Sequence, residues 1–270
     1  MQVREIGLYA VVFILAVIFV YPLYVLFLIS FVPVTYTFGQ IYPAQFPVAL
    51  TLQNIITSFH TVSLVNPLIR SFEVALMVAT LSLAMGIPAG YGLSKIKSGI
   101  ANIIVVLLFF VNMMPGIVVA IPIAAEFIRV GLYDNLVGIA LSQELVVLPL
   151  SVFIMLGGFR SIPKDLDNQA RVDGAGLLTS LGRISIPLVV PAVIVTFLLS
   201  WMTSWDEFTY AVIISPGNPT FPVQLYNYVT RALPYEASAF ALIVTIPVII
   251  LAAILQKYLK GEYLTGGLVG

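Results

Sequence analysis

Cysteine is absent from the 270-residue chain, and histidine occurs only once, as His60. The lack of cysteine excludes disulfide bonds, thiolate metal ligands and cysteine nucleophiles. One histidine is too few for a histidine-based zinc site, and we expect no conventional Ser-His-Asp triad around it. These absences argue against an enzyme as the function class.

Charge is also scarce. Only 9% of the residues are charged, whereas an ordinary globular chain has about 25%. The 12 basic and 12 acidic residues cancel, so there is no basic surface of the kind that binds nucleic acid. Hydrophobic residues make up 60% of the chain, and the mean hydropathy is +1.08. This composition predicts an integral membrane protein that lies in a lipid bilayer.

The sequence contains several long runs of residues without any charge. A helix needs about 20 apolar residues to cross the hydrocarbon core, and the runs predict six such helices in an all-α fold. The predicted spans are roughly 6–30, 72–94, 100–124, 137–158, 184–208 and 237–257. The sequence has neither an internal repeat nor a compositional break, so we expect residues 1–270 to form a single transmembrane domain.

The first predicted span begins like a signal peptide, with a basic residue before an apolar run. The run is longer than that of a signal peptide and is followed by no obvious small-x-small cleavage site, so we expect a retained span. The next stretch, 31–65, is uncharged but rich in proline and glycine as far as Pro47. That composition favours an irregular or partly helical loop.

Basic residues in the short loops indicate the orientation. With a cytoplasmic N-terminus, nine of the twelve basic residues fall on the cytoplasmic face. The nine are Arg4, Lys95, Lys97, Arg160, Lys164, Arg171, Arg183, Lys257 and Lys260, and the other three are Arg70, Arg129 and Arg231. This asymmetry predicts that both termini lie in the cytoplasm.

Six prolines lie inside the predicted spans, where each removes a backbone donor and can kink its helix. They are Pro88, Pro115, Pro122, Pro149, Pro191 and Pro247. Two interpretations are open: ordinary shaping of membrane helices, in which proline is common, or a bundle that bends between two states.

The longest cytoplasmic segment, 160–183, holds seven of the 24 charged residues. Its Ser161-Ile162-Pro163 start and its apolar residues at three- and four-residue spacing predict a short amphipathic helix over about 163–178. The apolar stripe contains Ala170 and Gly174, which allow close approach to another surface, and no aromatic residue of the kind that anchors a helix in lipid. Docking on a partner, packing on its own bundle and lying in the lipid interface are the alternatives.

The same segment resembles the EAA loop of ABC-importer permeases, whose pattern is Glu-Ala-Ala-x3-Gly-x9-Ile-x-Leu-Pro. The corresponding residues are Asn168-Gln169-Ala170, Gly174 and Ile184-Ser185-Ile186-Pro187, at the same spacing. Further segments resemble the maltose-type, carbohydrate-importing branch, in which the chain is similar to the second permease over nearly its whole length. They are Leu52-Gln53-Asn54, Met114-Pro115-Gly116-Ile117, Gly131-Leu132-Tyr133-Asp134, Trp205-Asp206-Glu207-Phe208 and Leu264-Thr265-Gly266-Gly267.

The resemblance implies a type I ABC-importer permease of a prokaryotic cytoplasmic (inner or plasma) membrane, which moves a sugar by alternating access. It implies three kinds of partner: a dimer of cytoplasmic ATP-binding subunits, a second homologous permease and an extracytoplasmic sugar-binding protein. The helix over 163–178 would be the coupling helix that contacts the ATPase subunit. The coupling residues are then Asp167, Asn168, Gln169, Ala170, Arg171, Asp173 and Gly174.

Two of these residues depart from the family pattern. Asn168 stands where the family has Glu, and Gln169 stands where it has Ala. An amide can still hydrogen-bond a guanidinium of the ATPase subunit, but without charge assistance. We therefore hypothesise that Asp167, one residue earlier, supplies the negative charge.

Ionisable groups inside a bilayer are costly, and they face a partner or an aqueous path. Glu144 lies within the fourth predicted span, and Asp206 and Glu207 end the fifth beside Trp205. Carboxylates accept hydrogen bonds from sugar hydroxyls and aromatic faces stack on sugars, so we expect these residues to line a sugar path, with Asn112 of the third span. Alternatively, Glu144 is protonated or paired within the bundle, and the Trp205 region is an interfacial belt.

The chain contains no Gly-x4-Gly-Lys-Ser/Thr loop and thus no visible cradle for a nucleotide phosphate. We expect no cofactor and no catalysis in this chain, with Mg-ATP bound by the partner ATPase. The rival function is a proton-coupled secondary transporter in which Glu144 titrates. Such carriers often have paired repeats, which this sequence lacks, and they have no use for a cytoplasmic docking helix.

Overall fold

A computed structural model of the chain describes residues 3–33, 49–61, 64–163, 166, 169, 172, 174–231 and 234–259. All regular elements in these ranges are helices, so the predicted all-α fold is confirmed. Residues 34–48, which make up much of the predicted loop between the first two helices, lie outside the described ranges.

Twelve α-helices have their bounds within these ranges, and a π-helical turn at Leu181–Ser185 joins the seventh to the eighth. The helices are α1 (Val3–Phe31), α2 (Gln53–Thr61), α3 (Val65–Ser94), α4 (Ser98–Val111), α5 (Gly116–Val130), α6 (Leu136–Arg160), α7 (Leu177–Ser180), α8 (Ile186–Leu188), α9 (Val190–Trp205), α10 (Thr209–Ile214), α11 (Phe221–Thr230) and α12 (Pro234–Leu259).

Four of these helices, α1, α3, α6 and α12, are long and apolar enough to cross a membrane as continuous elements. Two further pairs qualify only as bent spans. Helices α4 and α5 meet at 83°, and the segment Leu177–Leu188 meets α9 at 80°. Counting each bent pair as one span gives the six spans that the sequence predicts.

Proline accounts for the positions of the two breaks. Pro115 is the N-cap residue of α5, and the residue before a proline is disfavoured in the α conformation. Pro191 is the second residue of α9, where its missing N–H costs little because the first N–H groups of a helix have no intrahelical partner. Pro88, Pro122 and Pro149 instead lie inside α3, α5 and α6 without ending them.

The chain divides into two compact units, of which the first contains residues 1–66 and 224–247. In this unit the Asn54 side chain of α2 donates to three backbone carbonyl oxygens at the end of α1, at distances of 2.9 to 3.2 Å. The last carbonyl groups of a helix have no partner within the helix. The Asn54 amide therefore satisfies these groups and holds α2 against the end of α1.

The second unit contains residues 67–223 and 248–270, and two of the apolar clusters along α6 are the ones that concern the site. The first core cluster joins α3, α5, α6, α10 and the start of α11, and its buried members are Val74, Val78, Ala124, Ile139, Ala140, Val147, Ala211, Ile214 and Val223. The second core cluster lies toward the other end of α6, and its buried members are Tyr91, Met155, Phe159 and Val189.

Glycine allows the helices beside the second core cluster to pack unusually closely. A Cβ atom at Gly90 of α3 would lie 2.7 Å from Met155 Cβ and 2.8 Å from the backbone nitrogen of Leu156 in α6. A Cβ atom at Gly158 of α6 would lie 2.8 Å from Ala192 Cβ of α9. Real Cβ atoms essentially never lie this close to a non-bonded atom. Both contacts therefore require glycine, which has no Cβ atom.

Candidate functional site

Glu144 is buried in the first half of α6, with 6% of its surface exposed. The Ser82 hydroxyl of α3 donates to one carboxylate oxygen, Oε2, at 2.8 Å. The other oxygen, Oε1, is buried and has no hydrogen-bond partner within the described part of the chain. Glu144 thus keeps an acceptor available inside the second unit, which is what a hydroxyl-bearing ligand requires.

The neighbouring Gln143 is 1% exposed and is engaged at both ends of its amide group. Its Nε2 donates to Glu207 Oε2 at 3.2 Å, and its Oε1 accepts from the hydroxyl of Ser204 in α9. Because Glu207 follows α9 directly, this amide joins α6 to the C-terminal end of α9.

Glu207 makes two further hydrogen bonds, both to backbone. Its carboxylate accepts from the amide nitrogens of Tyr210 at 2.9 Å and Ala211 at 3.2 Å, which open α10. The N-cap residue of that helix, Phe208, makes no side-chain capping hydrogen bond. Glu207 therefore performs the capping of α10 from one position earlier.

An aromatic row lies beside this network. The Trp201 and Trp205 rings are stacked, with centroids 4.7 Å apart and an angle of 16°. Phe72 meets Trp201 edge-on at 6.1 Å, and Phe221 meets Trp205 at 4.7 Å. Both indoles are buried, at 4% and 3% exposure, so in this conformation the Trp205 ring packs within the protein.

The last two predicted path residues are exposed. Asn112 lies just after α4, at the break before α5, and its Nδ2 donates to the carbonyl oxygen of Val146 in α6 at 3.1 Å. Val146 is two residues beyond Glu144, so Asn112 contacts the backbone of the helical turn that contains Glu144, but residues two apart on a helix do not face each other. Asp206 is the C-cap residue of α9 and is exposed beside Glu207.

Ser82 and Ser204 belong to this site although sequence reasoning did not select them. Small hydroxyl residues are frequent in membrane helices as packing contacts, so a serine in an apolar run carries little signal of its own. Gln143 did carry a signal, because a second polar residue directly before a buried glutamate is rare in a span.

A second polar cluster, also missed, surrounds Asp134 in the loop before α6. Its backbone has φ +56°, a left-handed conformation that residues other than glycine adopt rarely. Its carboxylate accepts from the Ser215 hydroxyl at 2.6 Å and from Asn218 Nδ2 at 2.7 Å. A Cβ atom at Gly217 would lie 2.8 Å from Asp134 Oδ2, so a side chain there would require the carboxylate to shift.

Most predicted coupling residues, namely Asp167, Asn168, Ala170, Arg171 and Asp173, lie outside the described part of the chain. Gln169 is helical and exposed. Gly174 has φ +83° and no helical assignment, so the predicted helix over about 163–178 is interrupted there. The chain becomes helical again at Leu177, the start of α7.

Residues 82–262 match the family described as binding-protein-dependent transport system inner membrane component. The chain is 30% identical over 229 residues to the sulfoquinovosyl glycerol transport system permease protein of Agrobacterium fabrum, covering 83% of this chain and 80% of that protein. It is 29% identical over 227 residues to the trehalose/maltose transport system permease protein of Thermococcus litoralis, covering 82% of each.

The fold is similar to that of a chain in the crystal structure of a bacterial ABC transporter involved in the import of the acidic polysaccharide alginate. The TM-score is 0.76 with 23% sequence identity, over 94% of this chain and 96% of that one. The arrangement of helices described above is therefore that of a known transporter fold.

Proposed function

Since the chain belongs to the family of binding-protein-dependent transport system inner membrane components, we propose that it is the permease subunit of an ABC importer that carries a sugar across the cytoplasmic membrane. The observation that carries the choice of sugar is the substrate named for its relatives. Both relatives are transport permeases, one for sulfoquinovosyl glycerol and one for trehalose and maltose.

The proposed mechanism is alternating access driven by ATP hydrolysis in a separate dimer of ATP-binding subunits. That dimer binds Mg-ATP, and this chain contributes selectivity and mechanical coupling. The predicted coupling helix, about residues 163–178, contacts the ATPase, with Asp167 supplying the charge that Asn168 and Gln169 lack. Both termini then lie in the cytoplasm, in line with the distribution of basic residues.

Two structural features support a transmission route from that segment. The segment Leu177–Leu188, which follows the coupling residues, bends by 80° into α9. Val189, at the bend, is part of the second core cluster with Tyr91 of α3 and Met155 of α6. A displacement of the coupling segment would therefore reach three helices at one point.

In the proposed path, sugar hydroxyls meet the first half of α6. Glu144 Oε1 is the best-placed acceptor because it is buried and has no partner in the described ranges. Asn112 and Asp206 are exposed and can contribute further polar contacts, and Trp205 offers an aromatic face once its packing opens. A second homologous permease completes the path, and an extracytoplasmic binding protein delivers the sugar.

Reconstitution in liposomes tests this proposal. The chain is co-expressed with its ATP-binding subunits and second permease, and sugar uptake is measured with the binding protein outside and ATP inside. We expect uptake of labelled trehalose, maltose or sulfoquinovosyl glycerol that requires ATP and is insensitive to a protonophore. Uptake driven by a proton gradient without ATP would instead establish the secondary transporter in which Glu144 titrates.

A further inference from the structure

We infer that Glu207 is a positioning residue and not a sugar ligand: its carboxylate fixes the junction between α9 and α10 to Gln143 of α6. This inference rests on the proposed function, because the path it reassigns is that of a sugar permease. It also removes Glu207 from the set of path residues that the sequence predicts.

Most acceptor sites of the Glu207 carboxylate are occupied by groups of the chain itself. Oε1 accepts from the Tyr210 amide, and Oε2 accepts from both the Ala211 amide and Gln143 Nε2. A carboxylate has about four lone-pair sites, so three of them are used within the chain. Glu144, one residue from Gln143, differs in that one of its oxygens has no described partner.

The junction between α9 and α10 also needs this carboxylate. Helix α9 ends at Trp205 and α10 begins at Thr209, and the first N–H groups of a helix have no intrahelical partner. The amides of Tyr210 and Ala211 belong to residues that are 4% and 0% exposed. Water is therefore not at hand to satisfy them, and the N-cap residue Phe208 provides no side-chain acceptor.

Gln143, the side-chain partner of Glu207, is itself held in place. Gln143 is almost fully buried, and its oxygen accepts from Ser204 on the last turn of α9. The amide thus bonds to both sides of the α9 terminus, Ser204 before it and Glu207 after it. Such a chain of bonds sets the orientation of α10, which places Ala211 and Ile214 in the first core cluster.

Substitutions that remove or reverse the contact test the inference. The complex reconstituted as above carries Glu207→Ala, Glu207→Gln, Gln143→Glu, or Gln143→Glu combined with Glu207→Gln. The reversed pair exchanges donor and acceptor between positions 143 and 207 and keeps an oxygen for the Tyr210 amide, but it removes the acceptor of the Ala211 amide, so recovery is expected to be incomplete. Glu126→Gln is the matched control, since Glu126 is exposed and forms a surface ion pair with Arg129 of the same helix, α5.

For a positioning residue we expect Glu207→Ala and Gln143→Glu to lower uptake by at least about tenfold, by the same factor for every sugar that the unsubstituted complex transports. Glu207→Gln alone should have a smaller effect, and the reversed pair should recover uptake to within about threefold of the unsubstituted complex. The control should leave uptake unchanged.

A sugar ligand would behave differently. If Glu207 contacts the sugar, the loss of uptake will differ between sugars, and the reversed pair will stay as low as Glu207→Ala. Either result would overturn the inference while leaving the proposed function in place.

The melting temperature of the purified complex provides a readout that does not depend on transport. If the unsubstituted complex takes up no sugar, the proposed function fails, but the double-mutant cycle of positions 143 and 207 still decides the inference. We expect the reversed pair to melt at least several degrees above the sum of the two single effects, and additive effects would contradict the contact.

Discussion

The two halves of α6 are held to their neighbours by different physical means. Before Pro149, Gln143 and Glu144 are buried and hydrogen-bonded to side chains of α3, α9 and the α9–α10 junction. After Pro149, α6 contacts α3 and α9 mainly through glycines and apolar side chains, with Tyr91 and Phe159 packed edge-to-face at 5.3 Å and one buried hydrogen bond between the hydroxyls of Ser151 and Ser200 at 3.1 Å. One helix therefore combines a polar half and a close-packed half.

The two kinds of contact differ in whether a contact to another molecule can replace them. A hydrogen bond in a protein can be replaced by one to water or to a sugar hydroxyl at a small net cost, about 1 kcal/mol. A contact between a glycine and a neighbouring backbone has no such substitute, because any added atom overlaps with the neighbour. The polar half is accordingly suited to lining a path, and the close-packed half to keeping helices together.

The largest expected effect is that of Gly90→Ala in the close-packed half. The new Cβ atom would lie 2.7 Å from Met155 Cβ and 2.9 Å from the Met155 carbonyl carbon, so α3 and α6 must separate. Overpacking of this kind costs about 1–3 kcal/mol or more, and we expect a lower melting temperature and less assembled complex. Gly92→Ala, two residues on with nothing within 4 Å of its Cβ, is the control and should melt normally.

Glu144→Ala in the polar half should affect sugar uptake and leave stability largely unchanged, in contrast to Gly90→Ala. We expect sugar uptake to fall about tenfold, since an acceptor for a hydroxyl is lost, while the melting temperature changes little. Ser82, the partner of Glu144, can turn its hydroxyl to a carbonyl of its own helix. A melting temperature lowered as much as by Gly90→Ala would show that the polar half is structural, and the comparison would be wrong.

Asp134→Ala tests whether hydrogen bonds in the loop before α6 contribute to stability as well. The substitution removes two hydrogen bonds, to Ser215 and Asn218, and leaves a left-handed residue without the local bonding that stabilises it. We expect a loss of about 1 kcal/mol in stability, measured as a lower melting temperature. Asp134→Asn, which tolerates the left-handed conformation, should recover much of the loss.

The smallest effect is expected from Asn102→Ala in α4. Its Oδ1 accepts from Arg160 Nη1 at 3.0 Å, but the contact is exposed, and surface substitutions of this kind usually change stability by less than about 0.5 kcal/mol. Uptake and melting temperature should both stay within error. A clear loss of either would mean that polar contacts also matter in the close-packed half.

The sequence predicts the helical fold well because scarce charge and long apolar runs are direct consequences of the lipid environment. It singles out Glu144, which the structure buries in α6, because a carboxylate inside a span is costly and has few explanations. It does not predict that Glu207 caps α10, because that depends on where α9 ends and on Phe208 having no capping group. Nor does it predict the 83° break at Pro115, since a proline in a membrane run can kink, end or leave a helix unchanged.

The serines and glycines show a second limit of the sequence. Ser82, Gly90 and Gly158 look alike in an apolar run, as small residues that any membrane helix carries. Their roles differ only through the atom that each one faces: a carboxylate oxygen for Ser82, and a Cβ atom or backbone for the glycines. Those distances depend on the path of a different helix, which no local pattern records.

Because Gly90 and Gly158 have no Cβ atoms, the helices that meet at these positions lie so close that they have little freedom to shift against each other. At an interface of long side chains, a displacement of about one ångström between two helices can be accommodated by changes of rotamer. Where the backbones themselves are in contact, no rotamer can change. Even a very small displacement at the bend beside Val189 must therefore move α3, α6 and α9 together. Under the proposed ATP-driven mechanism, such close contacts would pass each displacement of the coupling segment on to all three helices.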